Sequence, residues 1–371
     1  MRNPRDIGPF PTGNITISGD CRGDPGEIIS VGTRFTPKQW TGPNADGVYQ
    51  IPYSGSPGSA MDEIGQLQLL NTIPSAKSPC RSFFHVAGVL YYRPCGVPLL
   101  MYPSGGGPVV GIHHSGVTLE HLLIRNGNTG VQVDNNATGV KLRHLRIVEH
   151  TDMGIWLAGR TSKGVIQYNE IQDVANGIYA VAGGGAGSTD RHDGWLVQGN
   201  LIHDVAGSGD AHGIGWQSGS DNVFRRNFIL RAAGSGITLY AWRHQENSRN
   251  VIEDNVIVDV VRKSVEDGQS GIDLSGDSCW DSPENRRGDV IRNNIIENVA
   301  EGIYVKAFPS SGTGPGARIE GNRIMARDTG IRWANPNGGR APDLPMERNE
   351  IKAPVPLKPL NPALGAVSFC R

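Results

Sequence analysis

The chain has 371 residues, 35 Lys and Arg against 36 Asp and Glu, and a formal net charge of −1. So even a balance argues against a nucleic-acid partner, which needs a basic surface, and no stretch is long and apolar enough for a transmembrane helix. Fifty-one glycines and only 6 % aromatic residues suit a chain that turns every few residues.

In chain order, ITISG, EIISVG and GVYQIP read as strands, and the region near 54–79 reads as an inserted loop or short helix. Next comes CRSFFHVAGVLYYRPC. A hairpin turning at Ala87-Gly88 sets Phe84 opposite Tyr91, Phe83 opposite Tyr92 and Cys80 opposite Cys95. Directly opposed cysteines have the Cβ separation a disulfide needs; the alternative is two buried thiols. A bridge implies an oxidising compartment. MRNPRDIGPF lacks the apolar core of a signal peptide, so the expected secreted or periplasmic location rests on the cysteines. Residues 1–109 are expected to form a cap with irregular first coils, because a solenoid must cover its exposed end.

From His121 onward one short unit recurs: an apolar run, Asn-x-Ile, a gap, then Gly-Ile-x-apolar. The Asn slot holds Asn169, Asn200, Asn227, Asn255, Asn294, Asn322 and Asn349, and His121 and His144 are read into the same slot as structural residues. Steps between slots run from 23 to 39 residues, a solenoid period. Each unit has short β-branched runs of period two and no helical periodicity. Such strands cannot bury themselves, but stacking on the next unit about 4.8 Å away gives each a partner. An inward Asn at a bend can bond the bent backbone and the Asn above and below it. The expected fold is all-β, a single-stranded parallel β-helix over 110–355 with a C-terminal tail from 356 to 371.

Alternation turns the residues two and four after the Gly outward. One column reads Gln132, Trp156, Tyr179, Gly215, Thr238, Asp273, Tyr304 and Arg332. The other holds Gln217, Tyr240 and Lys306. Outward aromatics can stack on sugar rings while the polar residues between them bond hydroxyls. The gap before the strand lengthens in GSGDAHG and RKSVEDGQSG. Long loops follow the strand in AGGGAGSTDRHDG, AWRHQENS and GDSCWDSPENRRG. Loops at both ends of the same strands make two walls of a groove, and loops raised on a rigid scaffold are where function is expected. The expected substrate contacts are Trp156, Tyr179, Gln217, Tyr240 and Lys306 from the floor, with Asp190, His192, Trp242 and Arg243 from the walls.

The candidate catalytic residues are Asp210, His212, Asp267 and Asp273. Two coils are about 9.6 Å apart, near the upper end for an inverting carboxylate pair. Asp210 with Asp267 or Asp273 could therefore act as general acid and base, although most loop Asp residues only cap turns. No ligand pair has zinc spacing, and no cofactor is expected; Asp277, Asp281 and Glu284 form the candidate calcium cluster.

The Asn ladder resembles that of the right-handed parallel β-helix superfamily of pectate lyases and polygalacturonases, which implies that fold and a carbohydrate substrate. DAHGIGWQS and SGIDLS resemble polygalacturonase motifs. TDRHDGW followed by His-Gly-Ile resembles alginate C5-epimerases, with Arg191 where that family has Pro. The epimerase likeness implies His192 or His212 as base, Tyr240 as acid, and Arg243 or Lys306 neutralising a uronate carboxylate. The expectation is thus a monomeric carbohydrate-active enzyme hydrolysing a poly- or oligosaccharide. A uronate lyase or epimerase is the first rival, and a non-catalytic glycan-binding or fibre protein the second.

Overall fold

The computed structural model describes residues 15–19, 26–29, 36–54, 59–62, 65–96, 101–104, 107–182, 190–207, 211–241, 246–260, 270–276, 288–305, 317–334 and 344–360. Among them the chain is almost wholly strand, with one turn of 3-10 helix at Pro37–Gln39. It is a right-handed parallel β-helix with three faces. The first face is a ten-stranded parallel sheet of strands mostly three or four residues long, such as Val165–Gln167, Leu196–Gln198 and Val223–Arg225. The second carries Leu201–Val205, Phe228–Ala232 and Val256–Val258. The third carries the Gly-Ile strands, including Ile214–Gln217, Ile237–Ala241 and Ser270–Gly276. Long strands such as Arg146–Ala158 and Glu170–Val181 run through both the second and third faces, joining them into one sheet.

Each face turns one column of side chains inward. Ile166, Val197, Phe224 and Ile252 come from the first face, Ile171, Ile202, Ile229 and Ile257 from the second. Ile178, Ile214, Ile237 and Ile272 come from the third, and all twelve are 0–1 % exposed. Stacking like on like gives every coil a closed core at the natural strand spacing.

The corner between the first two faces is the Asn ladder. Asn227 uses all four side-chain hydrogen-bonding positions. Its Oδ1 accepts from the Asn200 backbone N–H (3.1 Å) and from Asn200 Nδ2 (2.9 Å), while its Nδ2 donates to Asn255 Oδ1 (3.0 Å) and to the Val197 carbonyl (3.0 Å). The same pattern runs from Asn169 to Asn349. At its start the Leu145 N–H donates to Asn169 Oδ1. The expectation for His121 and His144 was therefore off by one residue. Lys141–Arg143 pairs with Val165–Gln167 so that His144 aligns with Tyr168 and Leu145 with Asn169. Leu122 and Leu145 fill the inward slot, and the two histidines occupy the preceding left-handed position (φ 55° and 53°). There their rings stack on each other and on Tyr168, with centroids 4.9 and 5.4 Å apart. A second ladder, unforeseen in the sequence, joins Asn222, Asn250 and Asp289 at the turn into the first face.

The corner before the third face explains the Gly at the start of its strands from Gly130 to Gly330; the first and last coils have Val109 and Pro356 in that row. A Cβ on Gly236 would lie 2.5 Å from Ile257 Cγ2 and 2.6 Å from the Gly271 carbonyl oxygen; on Gly154, 2.5 Å from Ile171 Cγ2 and 2.8 Å from the Gly177 oxygen. Neither neighbour can yield, since one is core and the other ladder backbone.

The first coil is interrupted. Gly26–Ile29 pairs with Leu122–Gly127, and Pro108–Ile112 pairs with Thr129–Val133. The chain between these strands builds a cap with its own core of Trp40, Ile51, Ala60, Leu67, Phe83, Leu90 and Tyr92. The hairpin register is as expected, and Cys80 and Cys95 are bridged at a Cα separation of 4.8 Å. The region near 54–79 forms short strands rather than a helix in its described part. At the other end Val355–Leu360 pairs with Arg323–Ala334, so the expected tail begins as a strand of the last coil.

Replacing Asn227 by Ala leaves the Asn200 N–H and the Val197 carbonyl buried without their partner. Urea unfolding is expected to show a loss of about 1–3 kcal/mol, with circular dichroism of the folded state unchanged.

Candidate functional site

The alternation on the third face places Trp156, Tyr179, Gly215, Thr238, Asp273, Tyr304 and Arg332 in one outward column, each in register with the next. Its centre is nonetheless covered: Tyr179 is 5 %, Thr238 3 %, Asp273 5 % and Gln217 9 % exposed. These side chains lean on one another.

The lean starts at Gly215. A side chain there would collide with the Tyr179 ring and sit 3.1 Å from His212 Cδ2. Without one, Tyr179 reaches across that row. Its hydroxyl meets the hydroxyl of Tyr240, which stands two coils further on. Gln217, on the intervening coil, donates from Nε2 to the Tyr240 oxygen (2.8 Å) and to the Tyr179 oxygen (3.2 Å). His212 packs against both phenols, with centroids 6.2 Å from Tyr179 and 6.3 Å from Tyr240.

His212 is oriented by the coil after it. The backbone N–H of Ser235 donates to its Nδ1 (3.3 Å), and Thr238 Oγ1 lies 3.2 Å from the same nitrogen. A backbone N–H can only donate, so Nδ1 carries the lone pair and neutral His212 holds its proton on Nε2. The His212 N–H itself donates to Asn176 Oδ1 (3.1 Å). This makes neutral His212 a hydrogen-bond donor at Nε2. A phenolate of Tyr179 or Tyr240 would accept from the Gln217 amide and from the other tyrosine.

Further along the column a charged group closes the floor. The Arg332 guanidinium lies 4.1 Å from the centre of the Tyr304 ring and bonds Glu301 (2.7 Å), which also accepts from Ser270 Oγ (3.3 Å). Burial pushes the Tyr304 hydroxyl up to about 12; Asp273 and Glu301 add to the shift and Arg332 opposes it. Burial likewise pushes the Glu301 carboxyl upward against Arg332 and Ser270. Asp273, between Thr238 and Tyr304, is the carboxylate at the floor's centre among the described residues. At the opposite end half-buried Trp156 neighbours Gln132, whose Nε2 donates to Asp134 (2.7 Å), and Asp134 pairs with His113.

The structure thus brings together His212, Gln217, Tyr179, Tyr240, Thr238 and Asp273. It does not bring His192 to the groove. The strand His192–Asp193 pairs beneath the surface with Thr161–Ser162, leaving His192 0 % exposed. Its Nδ1 is 2.8 Å from Thr161 Oγ1, and its ring meets the inward Trp216 edge-on. His192 therefore supports the core side of the floor. Asp190 is partly exposed. Asp210, Trp242, Arg243, Asp267 and Lys306 lie outside the described residues, as do Asp277, Asp281 and Glu284. Glu301 and Ser235 were missed. Both stand immediately before the Gly of a third-face strand, in the position His212 holds in its own coil, so reading that column would have found them.

No protein-family model matches the chain, and no curated protein matches it in sequence. Among solved structures the chain is similar to an alginate lyase from Paenibacillus sp. str. FPU-7, at 17 % identity over 69 % of this chain and 76 % of that one, with a TM-score of 0.41. It is similar to the Dettilon tailspike protein at 14 % identity over 69 % and 55 %, with a TM-score of 0.49. It is also similar to pectate lyase Pel9A at 12 % identity over 71 % and 72 %, with a TM-score of 0.43. These likenesses are of fold.

His192 and the equally buried His150 are both held neutral, with burial as the main cause and pKa values lowered from 6.5 to about 4. Between those values the unfolded chain binds protons that the folded chain refuses, so stability falls as pH drops through this window. Denaturant melts from pH 7 to 4 are expected to show a loss on the order of a few kcal/mol, and His192→Gln should flatten part of the slope.

Proposed function

We propose that the groove over the third face binds a polysaccharide or oligosaccharide and cleaves its glycosidic bonds by proton-transfer chemistry. The Tyr179–Tyr240 contact carries this reading: two phenols share a hydrogen bond, and one amide, Gln217, donates to both oxygens. A purely structural tyrosine needs one partner. Two phenols and an amide donor together stabilise a phenolate and can return the proton afterwards. On a uronate unit, the Tyr240 phenolate would take the C5 proton while His212 Nε2–H bonds the carboxylate. The C4–O bond then breaks, and the leaving oxygen receives the proton back from Tyr240. The product is an unsaturated sugar at the new non-reducing end.

Hydrolysis is the second reading, and Asp273 favours it. It is 5 % exposed, beside Thr238 and Tyr304 at the centre of the floor. With Asp210 or Asp267 as its partner it would form the acid–base pair. The Cys80–Cys95 bridge supports a secreted or periplasmic setting, where polymeric glycans are met. No helix of the described residues is long and apolar enough to cross a membrane.

A panel of uronate-containing and neutral glycans, assayed both for reducing ends and for ultraviolet absorbance of an unsaturated product, tests the proposal. Elimination predicts absorbance that tracks reducing ends. It also predicts that Tyr240→Phe lowers kcat by about 10²–10⁴-fold with little change in KM. Reducing ends without absorbance, abolished by Asp273→Asn and spared by Tyr240→Phe, would select hydrolysis. Binding without any product would leave a glycan-binding surface.

A further inference from the structure

The second face has an outward column with a pair of opposite charges at each end of an apolar run. On the first face one outward column carries ion pairs from coil to coil, as in Arg143 with Glu120 and Arg292 with Glu253. The other runs Val165, Leu196, Val223, Val251 and Val290 between Lys141 and Arg318, two ends of the same sign. On the second face, one outward column follows Leu123 with Arg146 and Glu170 and closes with Arg323 and Glu350. Between these ends stand four apolar residues in unbroken register, Leu201, Phe228, Val256 and Ile295. Phe228 is 40 % exposed and Leu201 36 %. The adjoining column adds half-buried Leu230 and Val258, flanked by His203 on one side and Glu297 on the other. A flat apolar stripe with charged ends is what monomers rarely expose and interfaces commonly use.

The order of signs selects the occupant. From Arg146 to Glu350 the column reads positive, negative, four apolar, positive, negative. Turned end over end, it becomes its own complement. We propose that this face docks a second copy of the chain in an isologous dimer. Its two-fold axis runs along the strand direction between the Phe228 and Val256 rows.

That operation reverses the coil order and keeps each column opposite itself. Arg146 then faces the partner's Glu350, and Glu170 faces the partner's Arg323. Phe228 packs on the partner's Val256, and Leu201 on the partner's Ile295. In the second column His203 meets the partner's Glu297 and Leu230 the partner's Val258. In the first column apolar meets apolar and every charge meets its opposite, while at the edge of the second Lys352 meets the partner's Val148. A parallel arrangement, whether a dimer or a three-fold assembly, would set equal rows at equal height and oppose Arg146 to Arg146. Like charges face to face cost affinity and specify against that geometry. Two flat sheets pack about 10 Å apart, a distance these side chains span. The third face and its groove stay outside the contact, so both sites would remain open.

Sedimentation equilibrium of the full chain, over a wide range of loading concentrations, tests the proposal. The expected result is a reversible species of twice the chain mass. Phe228→Glu should raise its dissociation constant at least about tenfold while leaving the circular dichroism of the folded chain unchanged. The charge pairs supply an independent check. Glu170→Arg alone places like charges opposite each other at two symmetric points and should weaken the dimer, more so at low salt. Adding Arg323→Glu to the same chain should restore it. A single-chain mass at every concentration would overturn the inference, as would a three-chain mass. So would an assembly indifferent to Phe228→Glu, or a charge swap that fails to rescue.

Discussion

The structure depends on keeping a buried bend hydrogen-bonded. Where the chain turns from the first face to the second, backbone groups point inward with no strand to pair them. One primary amide serves this bend because it carries two donors and two acceptor positions. Asn227 spends one of each on the neighbouring Asn side chains and the others on bent backbone. No coil completes its own bend, so the register is set coil against coil. At the next corner the glycine column does the same work sterically. The contact of one Gly with the following Gly carbonyl leaves no room for a Cβ. With two of its three corners pinned, the helix presents flat faces on a fixed rise. The third corner, at the turn into the first face, has the shorter ladder of Asn222, Asn250 and Asp289.

A fixed rise restricts what the outward side chains can do. Rows about 4.8 Å apart hold neighbouring side chains side by side, and groups two coils apart do not ordinarily meet. Gly215 breaks that rule. The missing side chain lets the Tyr179 ring lie across the next row, and its hydroxyl reaches Tyr240. Gln217 on the bridged coil then has both phenols within reach. The same crowding shapes the other end of the floor. Arg332 lies over Tyr304 and bonds Glu301, and burial raises both acids despite that cation.

The three faces share one interior pattern and differ outside. The first wears a charge ladder beside an apolar column, the second an apolar stripe with opposite charges paired at each end, and the third the polar aromatic floor. Only the inward half of each strand is constrained by the core, so the outward half is free to specialise. The corner positions add a fourth surface. Non-glycine residues in the left-handed conformation repeat from His121 and His144 to Tyr168 and Arg226. At the N-terminal end the rings of His121, His144 and Tyr168 stack along the outside.

The sequence by itself determined the β-helix, the Asn ladder from Asn169 onward, the outward phase of the third face and the Cys80–Cys95 pairing. Each is a periodic or local property: a recurring slot, a two-residue alternation, a hairpin counted from its turn. It misplaced His121 and His144 by one residue, because their spacing matched the slot and only the strand register separates a corner position from the inward one beside it. It placed His192 in the groove, because a polar residue in a loop motif reads as exposed until a short strand buries it against Thr161. Which outward residues touch was decided by the tertiary structure alone. The Tyr179–Tyr240 contact crosses 61 residues of chain and exists because an intervening glycine has no side chain. The tautomer of His212 depends on a backbone N–H 23 residues away. Local patterns record which way a side chain points, but contacts between coils depend on the exact stacking of segments far apart in the chain.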